Sequence, residues 1–193
     1  MRDTKEKLST LTIALHWMVG LSVITMAAIG VYMSENKVFE LYPIHKSIGV
    51  LLFIFIIIRV YWRLINGWLQ PASDYSTIEQ NLAKIVHWIL IIAIMVMPIS
   101  GFIMSWAGGN GVSVFGLEIV AAQFDPIAKA AIPHNAALAG FLGKTHEISG
   151  WVLIIAIVLH FAGSLKHHII DKDNTLKRML GKRIKSNNEL PNE

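Results

Sequence analysis

The chain has 193 residues, 54% hydrophobic and only 16% charged, with 17 lysines and arginines, 13 acidic residues and a net charge of +4. Charged residues make up about a quarter of an ordinary globular chain, so this composition argues against a soluble fold and against nucleic acid as the partner of the positive charge. The lack of cysteine excludes disulfides, iron–sulfur clusters, thiolate zinc sites and covalently attached c-type haem.

Residues 8–34, 85–117 and 148–165 carry no charged side chain. A hydrocarbon core of ~30 Å needs about 20 apolar residues as a helix, and the pattern predicts four spans, at about 10–33, 44–65, 85–106 and 145–165. The first is too long for a signal-peptide core and is followed by no small-residue cleavage site. The second has a short apolar core, Ser47 to Ile58, with Arg59 and Arg63 near its far end. The third contains Pro98 and Gly101, tolerable where neighbouring helices satisfy the freed carbonyl. Between the third and fourth spans, residues 107–144 form a long outer loop that opens on Gly108-Gly109-Asn110-Gly111. Its Ala-rich section from Ile127 to Ala139 predicts a short helix, and its length marks it as functional. The expectation is an all-α, integral-membrane four-helix bundle over residues 1–185, with a polar tail at 186–193 that frays. No internal repeat is evident.

Four spans place both termini on one side. Thirteen of the lysines and arginines fall on that side: Arg2, Lys5, Lys7, Arg59, Arg63, Lys84, Lys166, Lys172, Lys177, Arg178, Lys182, Arg183 and Lys185. Only four, Lys37, Lys46, Lys129 and Lys144, fall on the other. The positive-inside rule therefore predicts cytoplasmic termini in a multi-pass membrane protein. Trp17, Trp62, Trp68 and Trp88 near the inner interface and Trp106 near the outer one agree.

Eight histidines in so apolar a chain are the informative feature, because coordinating groups inside a bilayer are costly and usually mark function. They fall into two layers. His16, His87 and His160 lie near the inner side, and His45 and His146 near the outer side. His146 and His160 share one helix at a spacing of 14 residues, which is ~21 Å along the axis and about 40° short of four turns. One helix face thus offers an axial ligand in each layer, and bundle cores commonly house such cofactors. Two imidazoles per iron fill both axial positions and leave a haem that transfers electrons. A zinc site would need three or four converging ligands, and the outer layer supplies two.

Depth selects His16 and His160 over His87 as inner ligands, since His87 lies only three residues past Lys84. His87 is expected at the rim, against a haem propionate or a quinone headgroup. Arg59 follows His45 by 14 residues and so reaches the inner level; its guanidinium there suits haem propionates, although an arginine can equally snorkel to headgroups. His134, His167 and His168 are expected to be exposed.

Several segments carry a resemblance. They are Leu15-His16-Trp17, the run from Ile44 through His45 to Gly49, Arg59 with Arg63-Leu64, Met97-Pro98-Ile99-Ser100-Gly101, Phe115-Gly116-Leu117, His146-Glu147, and His167-His168 followed by Lys172-Asp173-Asn174-Thr175-Leu176 and Arg178-Met179. With these the chain resembles the bacterial cytochrome b561 family, related to the cytochrome b subunits of nickel hydrogenases and membrane formate dehydrogenases. The resemblance implies two non-covalent b-type haems, one between His16 and His160 and one between His45 and His146. It further implies a bacterial inner-membrane enzyme that oxidises superoxide in the periplasm and reduces ubiquinone. Lys37, Lys46, Lys129 and Lys144 are candidates for guiding an anion to the outer haem, but Glu35, Glu40, Glu118, Asp125 and Glu147 leave that side with a net charge of −1. The alternative is a membrane subunit whose outer loop docks a periplasmic catalytic partner and exchanges electrons between it and quinone.

Overall fold

Three of the four long helices start at a polar side-chain cap. Helix α1 (Thr10–Glu35) begins at Ser9, whose side chain accepts from the Thr12 amide at 3.2 Å. Helix α2 (Tyr42–Asn66) has Pro43 in its first turn and stops at Gly67, whose φ of 71° suits glycine. Helix α3 (Thr77–Ala107) opens on a reciprocal cap, in which the Ser76 side chain takes the Glu79 amide and the Glu79 carboxylate takes the Ser76 amide. Strands β1 (Val112–Val114) and β2 (Leu117–Val120) form a hairpin. Helix α4 (Ala136–Ile169) is capped by Asn135, and a short α5 (Thr175–Met179) follows it. This is a computed structural model, and it describes residues 3–4, 6–68 and 75–184. The polar tail expected at 186–193 lies outside the described residues, as do Arg2, Lys5 and Lys185.

Among the described residues four helices are long and apolar enough to cross a membrane, and they contain the four expected spans. Helix α3 starts eight residues before the expected position 85, and α4 nine residues before 145. Hydropathy marks only the part that matches the hydrocarbon. The 34 residues of α4 make a rod of ~51 Å, so its polar turns project beyond a core of ~30 Å.

The outer loop departs further from expectation. Of the helix expected over 127–139 only the part from Ala136 forms, as the first turn of α4; before it Asp125 accepts the amides of Ile127 and Ala128 at 2.7 and 2.9 Å, and the backbone of Phe124 bridges to Ala131. Pro126 and Pro133 break any helix before Ala136. The β1–β2 hairpin turns through Phe115 (φ 47°) and Gly116 (φ 91°), with Val112 paired to Val120 and Val114 to Leu117. The hairpin is pinned to the start of α2. The Phe115 amide donates to Ser47 Oγ at 3.0 Å, and Ser47 Oγ donates to Pro43 O at 2.7 Å and to Ser113 O at 3.2 Å. Gly111 (φ 60°) is required there, because a Cβ would stand 2.7 Å from the Val120 oxygen.

Both described terminal segments meet at the other end of the bundle. The Ile184 amide donates to Glu6 O at 3.0 Å, Trp17 Nε1 to Met179 O at 2.9 Å, and buried Arg178 to Thr4 O at 3.3 Å. The bundle is thus closed by chain termini at one end and by the hairpin at the other.

Between these ends the buried core consists of Val19, Val23 and Met26 of α1, Leu52 and Ile56 of α2, Ala93 and Ile94 of α3, and Leu153 of α4. In sequence these positions fall between the histidine layers. Leu21, Ile54, Ile92 and Ile155 are exposed on the outside of the bundle, as suits lipid contact. Helices α3 and α4 pack extensively, as do α1 and α2, whereas α4 approaches α1 narrowly and α2 hardly at all. The histidines face one another across that second, looser seam.

Candidate functional site

At the hairpin end, His45 of α2 and His146 of α4 confront each other with ring centres 6.4 Å apart and planes at 81°. Helix α3 builds the back wall. His146 Nδ1 lies 2.9 Å from the Met97 carbonyl and 3.3 Å from Ser100 Oγ. A Cβ on Gly101 would stand 3.0 Å from His146 Cε1, and one on Gly30 would stand 3.4 Å from His45 Cε1. Glycine at these two points gives the imidazoles their room. The Met97–Gly101 segment, recognisable in the sequence only as part of a resemblance, thus acquires a physical role.

At the termini end, His16 of α1 and His160 of α4 lie 6.2 Å apart between ring centres. His87 of α3 joins them, 5.1 Å from His160 and 6.1 Å from Trp68, with its Nδ1 2.6 Å from Ala83 O. It thus stands in the same layer as His160 and beside Trp68. Arg59 reaches the same layer. Its Nη1 donates to His16 O at 3.1 Å and its Nη2 lies 3.1 Å from His16 Nδ1. Arg63 instead stacks on Trp68, 5.0 Å from the ring centre.

The residues present fit an iron porphyrin. A metal held by two imidazoles at about 2.0–2.1 Å from each nitrogen would leave their ring centres on the order of 6 Å apart. The two pairs, at 6.2 and 6.4 Å, match that span, whereas His87 and His160 at 5.1 Å are too close. The contact of His146 Nδ1 with a carbonyl orients that ring and leaves Nε2 to a metal. His45 Nδ1 is buried with no hydrogen-bond partner among the described residues, a cost unless a group outside the polypeptide engages the ring. Neither layer assembles a zinc site. Among the described residues only His167, Asp171 and Asp173 bring three ligand atoms together, and these already bond to one another and to their neighbours.

Those three belong to a clamp that sequence reading overlooked. His167, expected to be exposed, is partly buried, with Nδ1 2.9 Å from Asp171 and 3.3 Å from Asp173. Lys166 bridges Asp171 and Glu79 at 2.9 and 2.6 Å. Asp173 is buried, accepting the Tyr75 hydroxyl and the Thr175 amide. Burial, and then the bond to Asp173, push the Tyr75 hydroxyl up to about 12. Burial works to raise the Asp173 carboxyl, but the bonds from Tyr75 and Thr175 outweigh it and hold it below the usual range. The Asp173-Asn174-Thr175 segment noted in the sequence therefore ties α4 to the start of α3.

The outer lysines are less free than expected. Lys46 is half-buried, donating to Ser105 Oγ at 2.8 Å and Gly111 O at 3.2 Å, and so fastens the hairpin. Lys144 pairs with Glu147 at 3.0 Å. Lys37 and Lys129 are exposed. His134 is exposed as expected and stacks on Trp106; His168 is exposed too.

Comparison with known proteins places this arrangement in context. The family model described as prokaryotic cytochrome b561 matches residues 7–182. The chain is 36% identical to cytochrome b561 homolog 2 of Escherichia coli (strain K12), over 93% of this chain and 94% of that protein. It is 28% identical to the probable superoxide oxidase CybB of Yersinia pestis, over 92% and 98%. It is also 26% identical to cytochrome b561 homolog 1 of Escherichia coli (strain K12), over 92% and 99%. A match across almost the whole chain, on a bundle whose spans carry facing histidines, means that this protein belongs to the prokaryotic cytochrome b561 family of membrane electron-transfer proteins.

Proposed function

We propose that this protein is a dihaem conduit which accepts electrons from superoxide on the periplasmic side of the inner membrane and delivers them to ubiquinone. The observation that carries the reading is the presence of two facing imidazole pairs, with ring centres 6.2 and 6.4 Å apart, that share α4 at a 14-residue spacing. His16 with His160, and His45 with His146, would each hold one haem b. When bound, each haem would supply a one-electron carrier. The protein fixes those carriers at opposite ends of an apolar core that keeps water out. The positive-inside bias supports cytoplasmic termini, which sets the His45–His146 layer on the periplasmic side. His87, beside His160 and Trp68, is offered as a contact for a haem propionate or the quinone headgroup.

In balance, two superoxide anions yield two dioxygen molecules and two electrons, which with two protons convert one ubiquinone to ubiquinol. The relative named probable superoxide oxidase supports the choice of donor. Anaerobically purified protein, oxidised and then exposed to a superoxide source, should show a reduced b-type α band that ubiquinone discharges. Absence of that band, or a band insensitive to superoxide, would overturn the proposal.

One observation favours a second reading. The hairpin exposes Phe115, Leu117 and Ile119, a surface suited to a periplasmic redox partner protein. Copurification with a stoichiometric metalloenzyme, with no superoxide activity in the single chain, would select it.

A further inference from the structure

The short helix α5 closes on charges that the fold itself does not use. The Lys182 amide donates to Lys177 O and the Gly181 amide to Arg178 O, both at 3.0 Å, with Gly181 at φ 83°. A closure of this kind commonly sets two apolar residues against each other at the positions that Lys177 and Lys182 occupy. Here two like charges stand there instead, and Arg183 follows them. All three cations are exposed, and among the described residues none of them makes an ion pair. Arg178, between them in sequence, is turned inward to Thr4 O. The acids at this end of the bundle are already engaged. Asp171 and Glu79 meet Lys166, Asp173 accepts from Tyr75 and Thr175, Asp3 accepts from Ser9 and Thr12, and Glu6 is not free either. One cation near a helix C-terminus suits the helix dipole. Three, two of them in place of an apolar pair, suit an anion from outside the chain.

The segment is held against the membrane-spanning part of the molecule. Met179 O accepts from Trp17 Nε1 at 2.9 Å, and a Cβ on Gly181 would stand 3.6 Å from Ile13 Cδ1. Ile13 and Trp17 lie on α1 within the stretch 8–34 that carries no charge, and a tryptophan near the end of a span marks the headgroup level. Leu180 is exposed beside them in sequence, as are Ile169 and Ile170 at the end of α4. Residues 177–183 therefore offer cations and an apolar side chain where headgroups meet acyl chains. We propose that Lys177, Lys182 and Arg183 bind the headgroup phosphate of an anionic phospholipid in the leaflet on the termini side. The two ammonium groups supply point charges and the guanidinium a fork that matches phosphate oxygens, while Leu180 faces the acyl chains. Basic clusters next to a span recognise acidic headgroups by this combination. The site is independent of the haem assignment.

Lipid titration of the purified full chain in neutral detergent tests the site, with bound lipid counted by native mass spectrometry. Phosphatidylglycerol should bind at least about tenfold more tightly than phosphatidylcholine, and the preference should shrink as salt rises. The combined variant Lys177→Gln, Lys182→Gln and Arg183→Gln should abolish the preference. Lys84→Gln removes an exposed charge from the same side of the bundle and should change it by less than about twofold. Equal binding of the two lipids, or an unchanged preference in the combined variant, overturns the proposal. So does an equal loss in Lys84→Gln, which would show a diffuse field and no site. Inorganic phosphate that displaces the lipid at equal concentration would show a free-anion site, and polyglutamate that binds as tightly would show a surface for an acidic protein; either result overturns the lipid assignment. If the combined variant fails to fold, Lys182→Gln alone should still weaken phosphatidylglycerol binding severalfold, and the comparison of the two lipids on the unaltered chain needs no variant.

Discussion

His45 and His146 face each other against two glycines and a carbonyl, whereas His16 and His160 share their layer with a guanidinium and a third imidazole. The ring separations are nearly equal, 6.4 and 6.2 Å. Ring spacing is thus common to the two ends and surroundings are not. The same ligand type can be tuned differently because the neighbours, rather than the ligands, set charge and ring polarisation. The closures differ as well. The terminal segments close one end, braced by a polar clamp around Asp173, while a hairpin stapled through Ser47 and Lys46 covers the other.

Removing a ligand should break one end alone, and is the largest effect expected. His146→Ala should halve the haem content of the purified chain by pyridine haemochrome assay, as should His16→Ala, while His87→Ala should keep both haems. A loss of both haems from His16→Ala, or of either from His87→Ala, would contradict the pairing. Gly101→Val asks whether space is what the hairpin end requires. With a Cβ 3.0 Å from His146 Cε1, overpacking should cost about 1–3 kcal/mol and lower occupancy at that end only. Full occupancy of both sites would show that the glycine is dispensable.

The clamp yields a smaller and pH-dependent effect. Tyr75 titrates at about 12 in the folded chain, above its ordinary value of about 10, so its contribution is complete below about pH 10 and is lost as pH rises through about 12. Tyr75→Phe should lower stability at neutral pH by about 1–2 kcal/mol and remove that alkaline loss, as read by thermal unfolding in detergent across pH 8–12. An unchanged alkaline limb would show that another group is responsible. The least effect belongs to Lys144, in an exposed pair with Glu147. Lys144→Ala should change stability by no more than about 0.5 kcal/mol, and superoxide-driven reduction that falls severalfold would instead mark it as an anion guide.

Much of the site was legible because helices have a fixed pitch. The interval from His146 to His160 places both on one face whatever their neighbours are, and the interval from His45 to Arg59 places the arginine at the opposite layer. What Arg59 touches was not legible. Its position suited a propionate, yet its hydrogen bonds go to His16. That His87 stands 5.1 Å from His160 was not legible either, because distance from a charged residue says nothing of which helix face packs on α4. The hairpin went unseen because its strands are three and four residues long and owe their place to Ser47 and Lys46, more than 60 residues earlier.

By itself the sequence determined the number of spans, the charge asymmetry between the two sides and the axial spacing of the histidines. These depend on local hydropathy and helical rise, which each segment carries alone. Tertiary structure decided which imidazoles meet, that Met97 and Gly101 shape one layer while Arg59 charges the other, and that Asp173 locks the end of α4. Such pairings bring together residues distant in the chain, which only the packing of the helices against one another brings within reach.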